Sequence, residues 1–253
     1  MSADYLKMES LSLIALDFVI KHFVEIIQKN IDLSMISKTI YKNLSMRLTD
    51  LIIEEIDDKK HYRFKSKLYM QKLEQFFTDD SNKLNVCQYC SKLFSWKHID
   101  LLKCTKARIF IDFHGTAISM HMEGKPLNMP DFVNYIHSKC KNSWRTIYWK
   151  IWGYTIIFYC IRCDRYFRGV DANQCLYHPE KPIYIYGNNT CRYPCCDAYE
   201  KRFQTESEEK HGCCGKLHEP RIVTQEDKNV NLLLELGKAF VDAGRCCGSL
   251  AFK

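Results

Sequence analysis

Cysteine is absent from residues 1–86 of this 253-residue chain and occurs fourteen times after them. That asymmetry constrains the fold more than any other feature. The first part must be held by an ordinary apolar core; the second has sulfur available as well. What the sulfur does depends on compartment. The most apolar N-terminal run, LSLIALDFVI at 11–20, is preceded by Glu9 and interrupted by Asp17, and no small-residue cleavage site follows it, so it does not read as a secretory signal. Lys21, His22 and Glu25 then end it well short of the roughly 20 apolar residues of a membrane helix. The expectation is a nuclear or cytoplasmic protein, neither secreted nor membrane-bound. In a reducing compartment, clustered cysteines favour metal over disulfides.

Residues 1–77 read as helices. In DYLKMESLSLIALDFVIKHFVEII, Leu6, Leu13, Leu16, Ile20, Phe23 and Ile27 recur every three, four or seven positions. Leu33, Ile36, Ile40, Leu44, Leu48 and Leu51 form a second stripe, and FKSKLYMQKLEQFF at 64–77 continues helically. Such stripes pack on one another. The polar stretch TDDSNKLNV at 78–86 is the expected boundary. A second region, 87–153, holds a hairpin around HG in RIFIDFHGTAISMHM, a short helix in MPDFVNYIHSKC, and a helix carrying Trp144, Trp149 and Trp152 that Gly153 is expected to end. The tryptophans read as core. YTIIFYC then runs as a strand into a third region, 154–220. Residues 221–253 supply a last amphipathic helix, NLLLELGKAFVDAG at 231–244, and a tail. The fold class is α+β: a helical region, then a metal-stapled, loop-rich α+β module. No repeat stands out beyond the adjacent pairs Cys195–Cys196, Cys213–Cys214 and Cys246–Cys247.

The third region carries the densest ligand pattern. A Cys-x-x-Cys turn lets two sulfurs converge on one ion, and zinc takes four such ligands tetrahedrally. Cys160 and Cys163 make one turn; Cys175 and His178 make a second knuckle, with Pro179 restricting the histidine backbone. Cys195, Cys196, Cys213 and His218 complete eight ligands, enough for two closed zinc sites. The spacing leaves the pairing open between sequential quartets and an interleaved set. Two flanking thiols on one ion are sterically awkward, so Cys195 and Cys196 are expected to be divided between ions. Cys191 and Cys214 are spare, and His211 competes with His218. Cys87, Cys90 and Cys104 form a further knuckle for a third zinc, with His98 or His121 as the fourth ligand. Cys140 and His137 read as packed. Eight protein ligands for two ions leave no open coordination position, which points to structure rather than catalysis. His-Glu-x-x-His is absent.

Charge adds a mild lean. The formal charge is +7, and six thiolates with two zinc ions would lower it to about +5. No run of five basic residues occurs. A nucleic-acid interface using Tyr166, Phe167 and Arg168 is therefore a rival to core filling by those side chains.

Two resemblances follow from these motifs. CIRC, CLYHPEKP, YPCC and GCCGKLH together resemble the cysteine- and histidine-rich domain called CHORD, which binds two zinc ions, although IYIYGNN stands where that module has an aromatic-rich HEG segment. ADYLKMESL (3–11), FKSKLYMQKLEQFF (64–77), CQYC (87–90), SWRTIYWKIWG (143–153), CIRC, CLYHPE and YPCC, in that order, are similar to the region after the BTB domain in the family of the SANT and BTB domain regulator of class switch recombination. That resemblance implies nuclear, corepressor-linked regulation through protein partners, without enzymatic activity. The helices at 1–77 would be the end of a BTB domain and the BACK-like helices after it. Homodimerisation would need the BTB core, which this sequence lacks. A BTB-type ubiquitin-ligase adaptor fragment is the other role it allows.

Overall fold

The computed structural model describes residues 6–29, 31–33, 35–114, 117–139, 143–185, 187, 190–201, 212–221 and 231–232. The helix expected at 231–244, and Cys140, His211, Cys246 and Cys247, lie wholly or largely outside them. The architecture is α+β, with helices first and small antiparallel sheets after them. Two compact units divide it: Met1–Asp80 with Val133–Trp149, and Ser81–Phe132 with Lys150–Lys253. The chain thus leaves the first unit inside the polar stretch 78–86, and the stretch 87–153 is shared between units. None of the described helices is long and apolar enough to cross a membrane.

The first unit contains α1 (Glu9–Lys21), α2 (Phe23–Gln28), α3 (Lys38–Arg47), α4 (Asp50–Glu54) and α5 (Asp58–Phe76). Their starts follow local chemistry. Ser37 and Thr49 accept the N–H of Ile40 and Ile52, and the Asp57 carboxylate accepts that of Lys59. Phe23, Tyr41, Leu44, Leu48, Ile53, Phe64, Leu68, Tyr69 and Leu73 fill the core. The first apolar stripe is shorter than the sequence suggests. His22, at φ −109° and ψ 24°, breaks the helix in two. Leu16, Phe23 and Ile27 face inward, whereas Leu6 and Leu13 are 62% and 52% exposed.

The centre of this unit is an ion network. Glu54 accepts both contacts from Arg145 Nε at 2.8 Å, one from Trp149 Nε1 at 2.9 Å and one from the Tyr69 hydroxyl at 2.5 Å. Lys65 Nζ lies 3.1 Å from it, and Lys65 is only 3% exposed. Burial raises the Glu54 carboxyl, but these donors, Arg145 foremost, bring it down to about 2.

The second unit contains β1 (Leu84–Val86), β2 (Leu93–Ser95), β3 (Phe110–Ile111), β4 (Ala117–Ile118), β5 (Ile157–Cys160), β6 (Arg165–Arg168), β7 (Cys175–Tyr177), β8 (Ile183–Tyr184), β9 (Thr190–Arg192), β10 (Tyr199–Lys201) and β11 (Cys214–Lys216). The pairings are β1–β2, β3–β4, β5–β6, β7–β11 and β8–β9–β10, all antiparallel. The expected hairpin around HG is β3–β4. The helix α6 (Met129–Lys139) precedes α7 (Trp144–Thr155), in which Trp149 and Trp152 are buried. Gly153 does not end α7. It sits inside the helix because a side chain there would collide with Val170 N at 3.1 Å, while a Cβ on Gly169 would meet Gly153 Cα at the same distance. Two glycines let helix and turn touch backbone to backbone, which brings β5–β6 close under α7.

Candidate metal centres

Each Cys-x-x-Cys turn is the tip of a hairpin. β1 runs into Cys87 and β2 leaves just after Cys90; β5 ends at Cys160 and β6 starts just after Cys163. In both, the residue after the second cysteine turns left-handed. Ser91 has φ 59° and donates its N–H to Cys87 O at 2.9 Å; Asp164 has φ 60° and donates to Cys160 O at 3.0 Å. The left-handed residue closes the turn and aims both sulfurs to one side.

The chain brings three groups together. Cys87, Cys90, Cys104 and His121 form the first, Cys160, Cys163, Cys175 and His218 the second, and His178, Cys195, Cys196 and Cys213 the third. Within each group every ligand atom lies within 4.8 Å of the others. In the first, Cys87 Sγ is 3.8 Å from Cys104 Sγ and Cys90 Sγ 3.5 Å from His121 Nδ1. In the second, Cys160 Sγ is 3.9 Å from Cys175 Sγ and Cys163 Sγ 3.6 Å from His218 Nδ1. In the third, His178 Nδ1 is 3.5 and 3.4 Å from Cys195 Sγ and Cys196 Sγ, and Cys195 Sγ is 3.6 Å from Cys213 Sγ. All three could hold metal ions.

Two expectations change. Cys160, Cys163, Cys175 and His178 do not share a centre, because β7 and β11 interleave the groups. Cys175 opens β7 and His178 follows it on the way to the third group. Cys213 precedes β11 in the third group, and His218 follows it back to the second. Nor are Cys195 and Cys196 divided. The reason is the turn that carries them. Asp197, φ 58°, donates its N–H to Tyr193 O at 2.8 Å, the closure seen in the two knuckles. Tyr193 therefore occupies the first-cysteine position, and its ring stacks on His178 at 3.6 Å. Cys195 supplies the displaced sulfur.

His121, not His98, joins the first group. Of the spare residues, Cys191 is buried with its thiol directed at Glu200 O, and His137 packs on the Trp144 ring.

A repeat that the sequence reading missed becomes visible here. CQYCSKLF and CIRCDRYF share Cys-x-x-Cys-x-(Lys/Arg)-x-Phe. Phe94 stacks on His121 at 5.3 Å, and Phe167 on His218 at 4.0 Å. The residue after each histidine, Met122 or Glu219, accepts an N–H from the residue after the first cysteine, Gln88 or Ile161, at 2.9 Å. The two residues after that pair back across Cys87 and Cys160. The first two groups are one device built twice.

The electrostatics of that device match too. Burial raises the Cys87 and Cys160 thiols, but backbone N–H groups outweigh it and hold both below the ordinary value: Cys90, Met122 and Tyr89 for the one, Cys163, Glu219 and Arg162 for the other. Burial pushes Cys90 and Cys175 up to about 12, with neighbouring sulfurs adding to the effect. Three crowded sulfurs thus resist joint ionisation without a cation among them. Burial lowers His121 and His218 to about 4, leaving neutral imidazoles suited to ligation.

A cavity of about 280 Å³ beside these groups is lined by Lys92, Arg165, Arg168, Tyr166, His121 and His218 among others. Phe167 is buried and Arg168 is held by Asp171 Oδ2 at 2.7 Å and Leu93 O at 3.0 Å, so both serve the interior; Tyr166 is 45% exposed. No family model and no solved structure matches the chain.

Proposed function

We propose that the chain is a non-enzymatic, zinc-stabilised interaction protein whose three Cys3His centres rigidify the loops that meet its partners. One observation carries this reading. A tetrahedral zinc with Zn–S near 2.3 Å and Zn–N near 2.05 Å needs S···S edges of about 3.8 Å and S···N edges of about 3.6 Å. In each group one S···S edge measures 3.6–3.9 Å and one or two S···N edges measure 3.4–3.6 Å, and all four ligand atoms lie within 4.8 Å of one another. Four protein ligands per ion saturate each tetrahedron, which supports structural zinc over catalytic zinc. The role that fits is the one implied by the resemblance to the SANT and BTB domain regulator family and to CHORD modules: regulation through protein partners, corepressor or chromatin proteins among them, in the nucleus. Capture of a protein partner by the zinc-loaded chain, lost after chelation and regained with zinc, is the expected result. Capture unaffected by chelation contradicts it.

The cationic lining of the cavity and exposed Tyr166 favour one second reading, a nucleic-acid interface. Each Cys3His zinc centre carries one excess negative charge, so three of them reduce the formal +7 to about +4. That weakens this reading relative to the first. Affinity for single-stranded oligonucleotides that falls steeply with salt would reverse the order.

A further inference from the structure

The three groups are not equivalent. Cys87, Cys90 and Cys104 are 1–8% exposed, and Cys160 and Cys175 are fully buried, with Cys163 half-buried beside them. Cys160 Sγ also accepts the N–H of Glu219 at 3.3 Å. In the third group Cys196 and Cys213 are exposed, and His178 and Cys195 are only half-buried. This group alone, among the described residues, has a fifth sulfur beside it. Cys214 Sγ lies 3.8 Å from Cys213 Sγ, the edge length of a zinc–thiolate tetrahedron. The backbone there is fixed tightly. Gly212 has φ 146°, and a Cβ on it would fall 2.1 Å from Tyr177 N. Cys214 itself sits in β11, paired in register with Tyr177. The spare sulfur is therefore held beside the Cys213 sulfur by the same ladder that positions His178 and Cys213.

Resting on the reading of the groups as zinc centres, we propose that the third is an exchange site, through which the chain takes up and gives up a zinc-class divalent ion, with Cys214 as the incoming ligand. The step is an associative substitution. The Cys214 thiol loses its proton to solvent as its sulfur bonds the ion, the Cys213–metal bond breaks, and the released Cys213 thiolate takes a proton up. Protons and charge balance, and no oxidant or reductant takes part. The ion is four-coordinate before and after this step; on its solvent-facing side, where Cys196 and Cys213 are exposed, a multidentate nitrogen or sulfur acceptor then displaces Cys214, Cys196, Cys195 and His178 in turn, each released thiolate taking up a proton. The first two groups, more buried, have no fifth sulfur beside them among the described residues to open such a path.

The test uses the full-length chain loaded with zinc and challenged with excess 4-(2-pyridylazo)resorcinol, with release followed by stopped flow. One equivalent should leave at least tenfold faster than the other two. Cys214→Ser should slow that fast equivalent several-fold while the total remains three. Cys213→Ser should also retain three ions, because Cys214 takes its place, whereas Cys90→Ser should lose one. Three ions leaving in a single phase, or an unchanged fast phase in Cys214→Ser, overturns the exchange assignment and leaves the zinc reading standing. A wild-type total of two, with both leaving slowly, overturns the zinc reading of the third group itself.

Discussion

Glu54 shows what one residue can decide. It is nearly buried and meets Arg145, Lys65, Tyr69 and Trp149 at once, so its charge is compensated from every side. Its folded value lies below the ordinary 4.5, at about 2. The stabilisation it gives is complete above about 4.5 and is lost as pH falls toward about 2, an effect of roughly 3 kcal/mol. Glu54→Gln should cost about 3–5 kcal/mol in urea unfolding at pH 7, because Arg145 would lose the carboxylate it pairs with and Lys65 would keep only the more exposed Asp58. It should also flatten the acid limb of the stability profile. Equal stability of variant and wild type at pH 7 would contradict the network's role. Nothing in the sequence marked Glu54: Arg145 is 91 residues away, and local periodicity reports neighbours three or four positions apart. Tyr193 escaped notice for the opposite reason. It holds a knuckle position without the sulfur by which a knuckle is recognised.

At the level of elements, the hairpin tip is the recurring unit. Its left-handed corner is filled by Ser91, Asp164 or Asp197, none of them glycine. Such a residue bears a steric cost that glycine avoids. Ser91→Gly should stabilise the second unit by about 0.5–1 kcal/mol and raise its thermal midpoint by a few degrees with metal content unchanged; a fall in either would contradict the turn's geometry. Cys-x-x-Cys spacing was legible because two sulfurs three residues apart in sequence must share one turn. The partition of the remaining ligands was not, since it depends on β7 pairing with β11 across an intervening sheet. Gly153 misled in the same way. A glycine late in a helix usually caps it, but here Gly169, brought up from a later turn, needs the space.

The whole molecule has two kinds of stability. The first unit rests on apolar packing and the Glu54 network, and its helical stripes were readable apart from the break at His22. The second has short strands and few long stripes, and each zinc held as proposed would contribute on the order of 10–16 kcal/mol to such a fold. Chelation should therefore collapse hydrogen-exchange protection in β1–β2, β5–β6 and β7–β11 while leaving protection in α3 and α5; loss in both units together, or in neither, would contradict this division. The cysteine asymmetry with which the chain announces itself follows that division closely, Cys140 being the one cysteine that falls in the first unit. The most direct check of the account is to count metal in the purified chain by elemental analysis. It predicts three zinc ions per molecule. Two or fewer, with the fold intact, would contradict it.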